Sequence, residues 1–116
     1  MVPDMRRIRR RRIREALRKA RLTKRAVLIV SADHGGHERS HGKVIPEDMT
    51  IPWIAWGAGV RKHFTITAAV NTCDTAATAL WLLGLKPPEA LDGAPVTSAF
   101  APGRKRGAAS GIARER

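Results

Sequence analysis

The stretch that most restricts the fold is Ala26-Val27-Leu28-Ile29-Val30-Ser31-Ala32-Asp33-His34-Gly35-Gly36-His37-Glu38-Arg39-Ser40-His41-Gly42. Its apolar half is short, unbroken and rich in Val and Ile. Such a run predicts a strand buried on both faces, the kind found in parallel sheets. The polar half begins at the carboxyl end of that strand, where open α/β sheets place their ligands. Asp33 offers a hard oxygen, and His34, His37 and His41 offer imidazole nitrogens. That donor set suits zinc or manganese. Neighbouring residues in a regular strand point to opposite faces. Asp33 and His34 therefore share one ion only if the strand ends before them and the backbone turns, which Gly35 and Gly36 permit.

The rest of the chain reads as one modest α/β domain. Ile13, Ala16, Leu17 and Ala20 predict a helix over about residues 12–22, with these four against the sheet. Residues 26–32 and 50–56 predict strands, and residues 65–70 a weaker third strand or an extended segment. Residues 33–48 are expected to form a loop. Residues 74–83 predict a helix with Thr72 or Asp74 as its N-cap. Gly84 fits its C-cap, and Pro87-Pro88 stop any continuation. Asp92-Gly93 reads as a turn. The expected organisation is a basic extension over residues 1–12, a domain over 13–100 and a disordered basic tail over 101–116.

Charge enters the argument through its distribution. The net charge of the 116-residue chain is +12. Most of it lies before Ala26 and after Pro102. A nucleic-acid-binding arm is one explanation for the arginine run, and non-specific nucleic acid is the partner it would take. The run contains no aromatic residue, which favours an amphipathic helix with a solvated basic face. Trp53, Trp56 and Trp81 each sit in an apolar element and are expected in the core. His63, beside Arg61 and Lys62, reads as an exposed loop residue. Cys73 is the only cysteine, which excludes an intrachain disulfide. The basic start is followed by no apolar signal region, and no apolar run is long enough to cross a bilayer.

For residues 33–42 three alternatives stand side by side on the residues alone. One is a solvated polar loop. Another is a metal site drawn from Asp33 and the three histidines His34, His37 and His41. The third is a three-histidine zinc site from His34, His37 and His41. His34 and His41 have the spacing of two helical turns, but Gly35, Gly36 and Gly42 argue against a helix there.

Four ordered motifs then suggest a family. They are Val30-Ser31-Ala32-Asp33-His34-Gly35-Gly36 with His41-Gly42, Ile51-Pro52-Trp53-Ile54-Ala55-Trp56-Gly57-Ala58-Gly59-Val60, Val70-Asn71-Thr72-Cys73-Asp74-Thr75-Ala76-Ala77-Thr78 and Leu83-Gly84-Leu85, with an end near Asp92-Gly93-Ala94-Pro95-Val96. Together they resemble the C-terminal metal-binding part of the alkaline phosphatase superfamily. The likeness is greatest to the type I phosphodiesterase/nucleotide pyrophosphatase group and covers roughly residues 17–100. Ala58 departs from the pattern, since the family often has proline between these glycines.

The resemblance implies a partial, mainly parallel sheet flanked by helices. It implies a hydrolase of phosphate esters working with two divalent ions, zinc first and manganese as the alternative. Asp33 and His34 match the pair that binds the ion activating the nucleophile, and His41 matches a ligand of the second ion. His37 matches no ligand position, and Asp74 is read as structural. The family's Thr or Ser nucleophile lies far upstream, so this chain is expected to carry no catalytic nucleophile and to be inactive alone. Its expected identity is a C-terminal piece of a longer enzyme acting on a phosphate ester. A phosphomonoesterase, sulfatase or phosphoglycerate mutase of the same superfamily is an alternative. A basic, non-enzymatic nucleic-acid-binding module is an alternative from a different class.

Overall fold

A computed structural model of the protein describes residues 5–103. The elements run α1 (Met5–Lys19), β1 (Val27–Val30), α2 (Pro46–Met49), β2 (Ile54–Gly57), α3 (Asp74–Leu83) and a short 3-10 turn over Thr97–Ala99. The architecture is mixed α/β. The disordered tail expected over residues 101–116 falls outside the described residues from 104 onward, as do residues 1–4 of the expected extension.

β1 and β2 pair antiparallel, with Val27 opposite Gly57, Leu28 opposite Trp56, Ile29 opposite Ala55 and Val30 opposite Ile54. This corrects the expected parallel arrangement for the strands among the described residues. An apolar run predicts burial on two faces, but it does not specify the direction of the partner strand. Here the residues between the strands form a loop and the single turn of α2. They supply none of the long helical crossovers that a parallel pair needs. Residues 65–70 form neither helix nor strand.

Alternation along the strands gives the sheet two unlike faces. Val27 and Ile29 pack against a buried cluster of Leu82, Val96, Ala99 and Phe100. Trp53, Val60, Ile66, Val70 and Trp81 pack against the same cluster. Trp81 and Phe100 meet with ring centroids 5.2 Å apart and planes tilted by 51°, a favourable aromatic arrangement. The other face carries Leu28, Val30, Ile54 and Trp56, and all four β1 residues are only half-buried.

α3 matches its expected bounds. Gly84 closes it in the left-handed conformation and returns its amide to the carbonyls of Leu80 and Trp81. The N-cap expectation is corrected. Cys73 occupies that position without a side-chain cap bond, while Asp74 is buried just inside. Its carboxylate accepts from the amides of Asn71 at 2.7 Å and Ala94 at 2.9 Å. Thr78 Oγ1 donates to the Asp74 carbonyl and accepts from the Val96 amide. These bonds fasten residues 94–96 across α3, which fits the structural part expected of Asp74.

α1 begins before the predicted start, because arginine is a good helix former and no breaker follows Met5 within the run. Its orientation also differs from expectation. Arg14 and Arg18 lie over Trp56, with guanidinium carbons 4.8 and 5.7 Å from the ring centroid. Leu17 is half-buried, whereas Ala16 and Ala20 are exposed and Ile13 is 46% exposed. Attraction between guanidinium groups and an indole face turns the polar side of the helix inward. No helix among the described residues is long and apolar enough to cross a membrane.

Candidate metal-ligand cluster

β1 ends at Val30, and the chain leaves it without forming a helix before Pro46. Asp33 and His34 follow within one turn of that carboxyl end. The His34 Nε2 atom lies 3.6 Å from Asp33 Oδ2. The His34 ring stacks on His41 with centroids 4.1 Å apart and planes 24° from parallel. The three side chains singled out from the sequence therefore come together at one edge of the sheet. Asp33 and His34 are both solvent-accessible, with side-chain exposures of 89% and 46%.

His34 Nδ1 lies 2.5 Å from the Gly35 carbonyl oxygen. A carbonyl can only accept, so this contact requires the proton on Nδ1. In the neutral tautomer with that proton, Nε2 carries the lone pair on the side of Asp33. Fixing the tautomer through the other ring nitrogen is how metal-binding histidines are prepared.

The loop is anchored by a different pair. Asp48, at the end of α2, is buried. His37 Nδ1 lies 2.6 Å from Asp48 Oδ1, and the Lys43 amide donates to Oδ2 at 2.7 Å. The hydrogen bond from His37 holds the Asp48 carboxyl below its ordinary range. Burial opposes that shift, while the Lys43 amide and the charges of His37 and His41 reinforce it.

Gly35 is needed here for close approach, with Gly36 beside it. Their amides donate to the carbonyls of Asp48 and Glu47, each at 2.7 Å. A Cβ on Gly35 would stand 2.0 Å from the Glu47 carbonyl oxygen and 2.7 Å from that of Thr50. The sequence signals a turn at these glycines, but it does not show that the backbone of α2 fills the space. Asp48 likewise lay in an undifferentiated polar loop. A carboxylate eleven residues after a histidine is too weak a pattern to single out.

Two donors near β1 and one stacked histidine fit part of a site. Among the described residues, no three His, Cys, Asp or Glu side chains are arranged to hold one metal ion. The three-histidine alternative is not assembled, since His37 is turned to Asp48. Asp33 and His34 are the two groups whose free atoms face each other closely enough to begin a shared coordination sphere. His63 is exposed, as expected. Trp53 and Trp81 join the core, whereas Trp56 lies outside it under the arginines of α1.

Comparisons with protein-family models, with curated proteins and with solved structures find no match to this chain.

Proposed function

We propose that these residues are the C-terminal part of a metal-dependent hydrolase of phosphate esters, of the phosphodiesterase/nucleotide pyrophosphatase kind. The observation that carries this reading is the Asp33–His34 pair just beyond β1, with Nδ1 of His34 committed to the Gly35 carbonyl and Nε2 left toward the carboxylate. The motifs around it, in the order in which they follow one another, support the same reading.

Asp33 and His34 would hold one divalent ion, and His41 would contribute to a second. Zinc suits these donors best, with manganese as the alternative. Two such ions, when bound, activate the attacking oxygen and neutralise charge on the transferring phosphoryl group. The chain's own residues would position them: the Gly35 carbonyl orients His34, and the His37–Asp48 pair holds the loop beneath it. The remaining ligands and the Thr or Ser nucleophile would come from a stretch outside these residues. That stretch would also provide parallel neighbours for the edge of β1 left unpaired among the described residues.

The test is zinc calorimetry on the purified chain, paired with hydrolysis of bis-nitrophenyl phosphate. Weak zinc binding that disappears in Asp33→Asn and His34→Ala, with no hydrolysis above buffer, is the expected result. Zinc binding unchanged in both variants would overturn the ligand assignment. Tight stoichiometric binding with turnover would overturn the partial-site reading.

A further inference from the structure

A second surface lies between α1 and the sheet, and none of Asp33, His34 and His41 lines it. A cleft of about 730 Å³ opens between α1 and β2, lined by Arg14, Arg18, Trp56, Arg61, Lys62 and His63 among others. It adjoins a space of about 550 Å³ to which Arg10 and Arg11 also contribute. Among the described residues, no acidic side chain lines either space. The nearest carboxylate on α1 is Glu15, exposed and 3.5 Å from Arg18. Arg14 Nε is buried with no hydrogen-bond partner among the described residues. A buried donor without a partner is costly, and a bound acceptor relieves the cost.

We infer that this cleft binds the sugar–phosphate backbone of single-stranded nucleic acid, without reading its bases. Charge complementarity identifies the class of ligand as a polyanion. The side chains narrow it further. A guanidinium held over an indole ring can still offer N–H donors to a ligand, and guanidinium donors match phosphate oxygens bidentately. Arg10, Arg14 and Arg18 recur every four residues, which places them at intervals of about 6 Å along α1. That interval suits successive phosphates of an extended strand. A concave cleft admits a single strand more readily than a rigid duplex or a flat bilayer. Trp56 supplies the aromatic group that the arginine run itself lacks, and it comes from a strand distant in sequence.

The experiment is fluorescence anisotropy of the full chain with labelled oligothymidylate over a salt series. Engagement of four or five phosphates gives a slope of log affinity against log salt of about −3. The variant Arg10→Gln/Arg14→Gln/Arg18→Gln should weaken binding by about tenfold or more. A control, Arg9→Gln/Arg12→Gln/Lys19→Gln, removes the same charge from outside the cleft and should change affinity by less than about threefold. Lys62→Gln on the opposite wall tests the cleft without altering α1, and should weaken binding measurably. Equal losses in the cleft and control variants would overturn the proposal, because binding would then follow overall charge. Equal affinity at the same salt for polyglutamate or for anionic phospholipid vesicles would overturn the assignment to nucleic acid.

Discussion

Around α3, buried polar side chains reach partners far away in the sequence, while around residues 33–49 they reach partners close by. Asp74 joins Ala94 across 20 residues, Thr78 joins Val96 across 18, and Trp53 joins Thr75 across 22. Asp48 joins His37 across 11 residues and Lys43 across 5. The first set ties separate segments around one apolar cluster. The second ties a loop to the short helix that follows it. A loop held within itself can open without disturbing a core that does not depend on it. The difference separates a scaffold from the loop proposed to hold metal, and each of the following substitutions tests that separation.

The largest effect is expected from Phe100→Ala. Phe100 is 3% exposed and stacks against Trp81. Its truncation should cost about 3–5 kcal/mol in urea denaturation. A loss below about 1 kcal/mol would show that the cluster around α3 is not the scaffold.

Asp74→Ala comes next. It leaves two amides, of Asn71 and Ala94, without their acceptor. The expected loss is about 2–3 kcal/mol, read from the same unfolding transition. Weakened zinc binding in this variant at unchanged stability would couple the two regions and break the comparison.

Gly35→Ala should act on the loop alone. The added methyl cannot coexist with the Glu47 carbonyl, so residues 33–36 must leave α2. Amide exchange at Gly36 should accelerate by about tenfold or more, with protection in α3 unchanged. Parallel loss of protection in α3 would join the loop to the scaffold.

The smallest effect is confined to pH. The Asp48 carboxyl is held below its ordinary value by the His37 hydrogen bond. A group whose folded value is lowered contributes stability above its unfolded value, about pH 4, and loses it as pH falls through the folded value. The NMR shift of the Asp48 carboxyl carbon should therefore make its protonation step only below about pH 4. In Asp48→Asn the shift should show no such step. A carboxyl protonation step centred above about pH 5 in the unaltered protein would contradict the lowered value.

Much of this molecule was legible from residue pattern. β1 falls within its expected strand, β2 starts later than expected and runs one residue past the expected end to Gly57, and α3 keeps its bounds because a helix-compatible run is closed by Gly84 and two prolines. The place of Asp33 and His34 after a strand was legible too, since an apolar run followed by polar residues and glycine is a local signal. The neighbourhood of His41 was suggested by resemblance and not by spacing, because the loop path from Gly36 to His41 depends on where α2 stops.

The sequence alone determined what each segment could form: a strand where Val and Ile crowd together, a helix where arginine and leucine recur, and a break at glycine and proline. Tertiary structure decided what those segments meet. It set β1 and β2 antiparallel, gave Asp48 to His37, and turned Arg14 and Arg18 inward onto Trp56. Local pattern reports conformational preference and hydrophobic period, which act over a few residues. Hydrogen bonds and cation–π contacts between distant residues depend on how the chain closes in space, and short-range pattern carries little of that information.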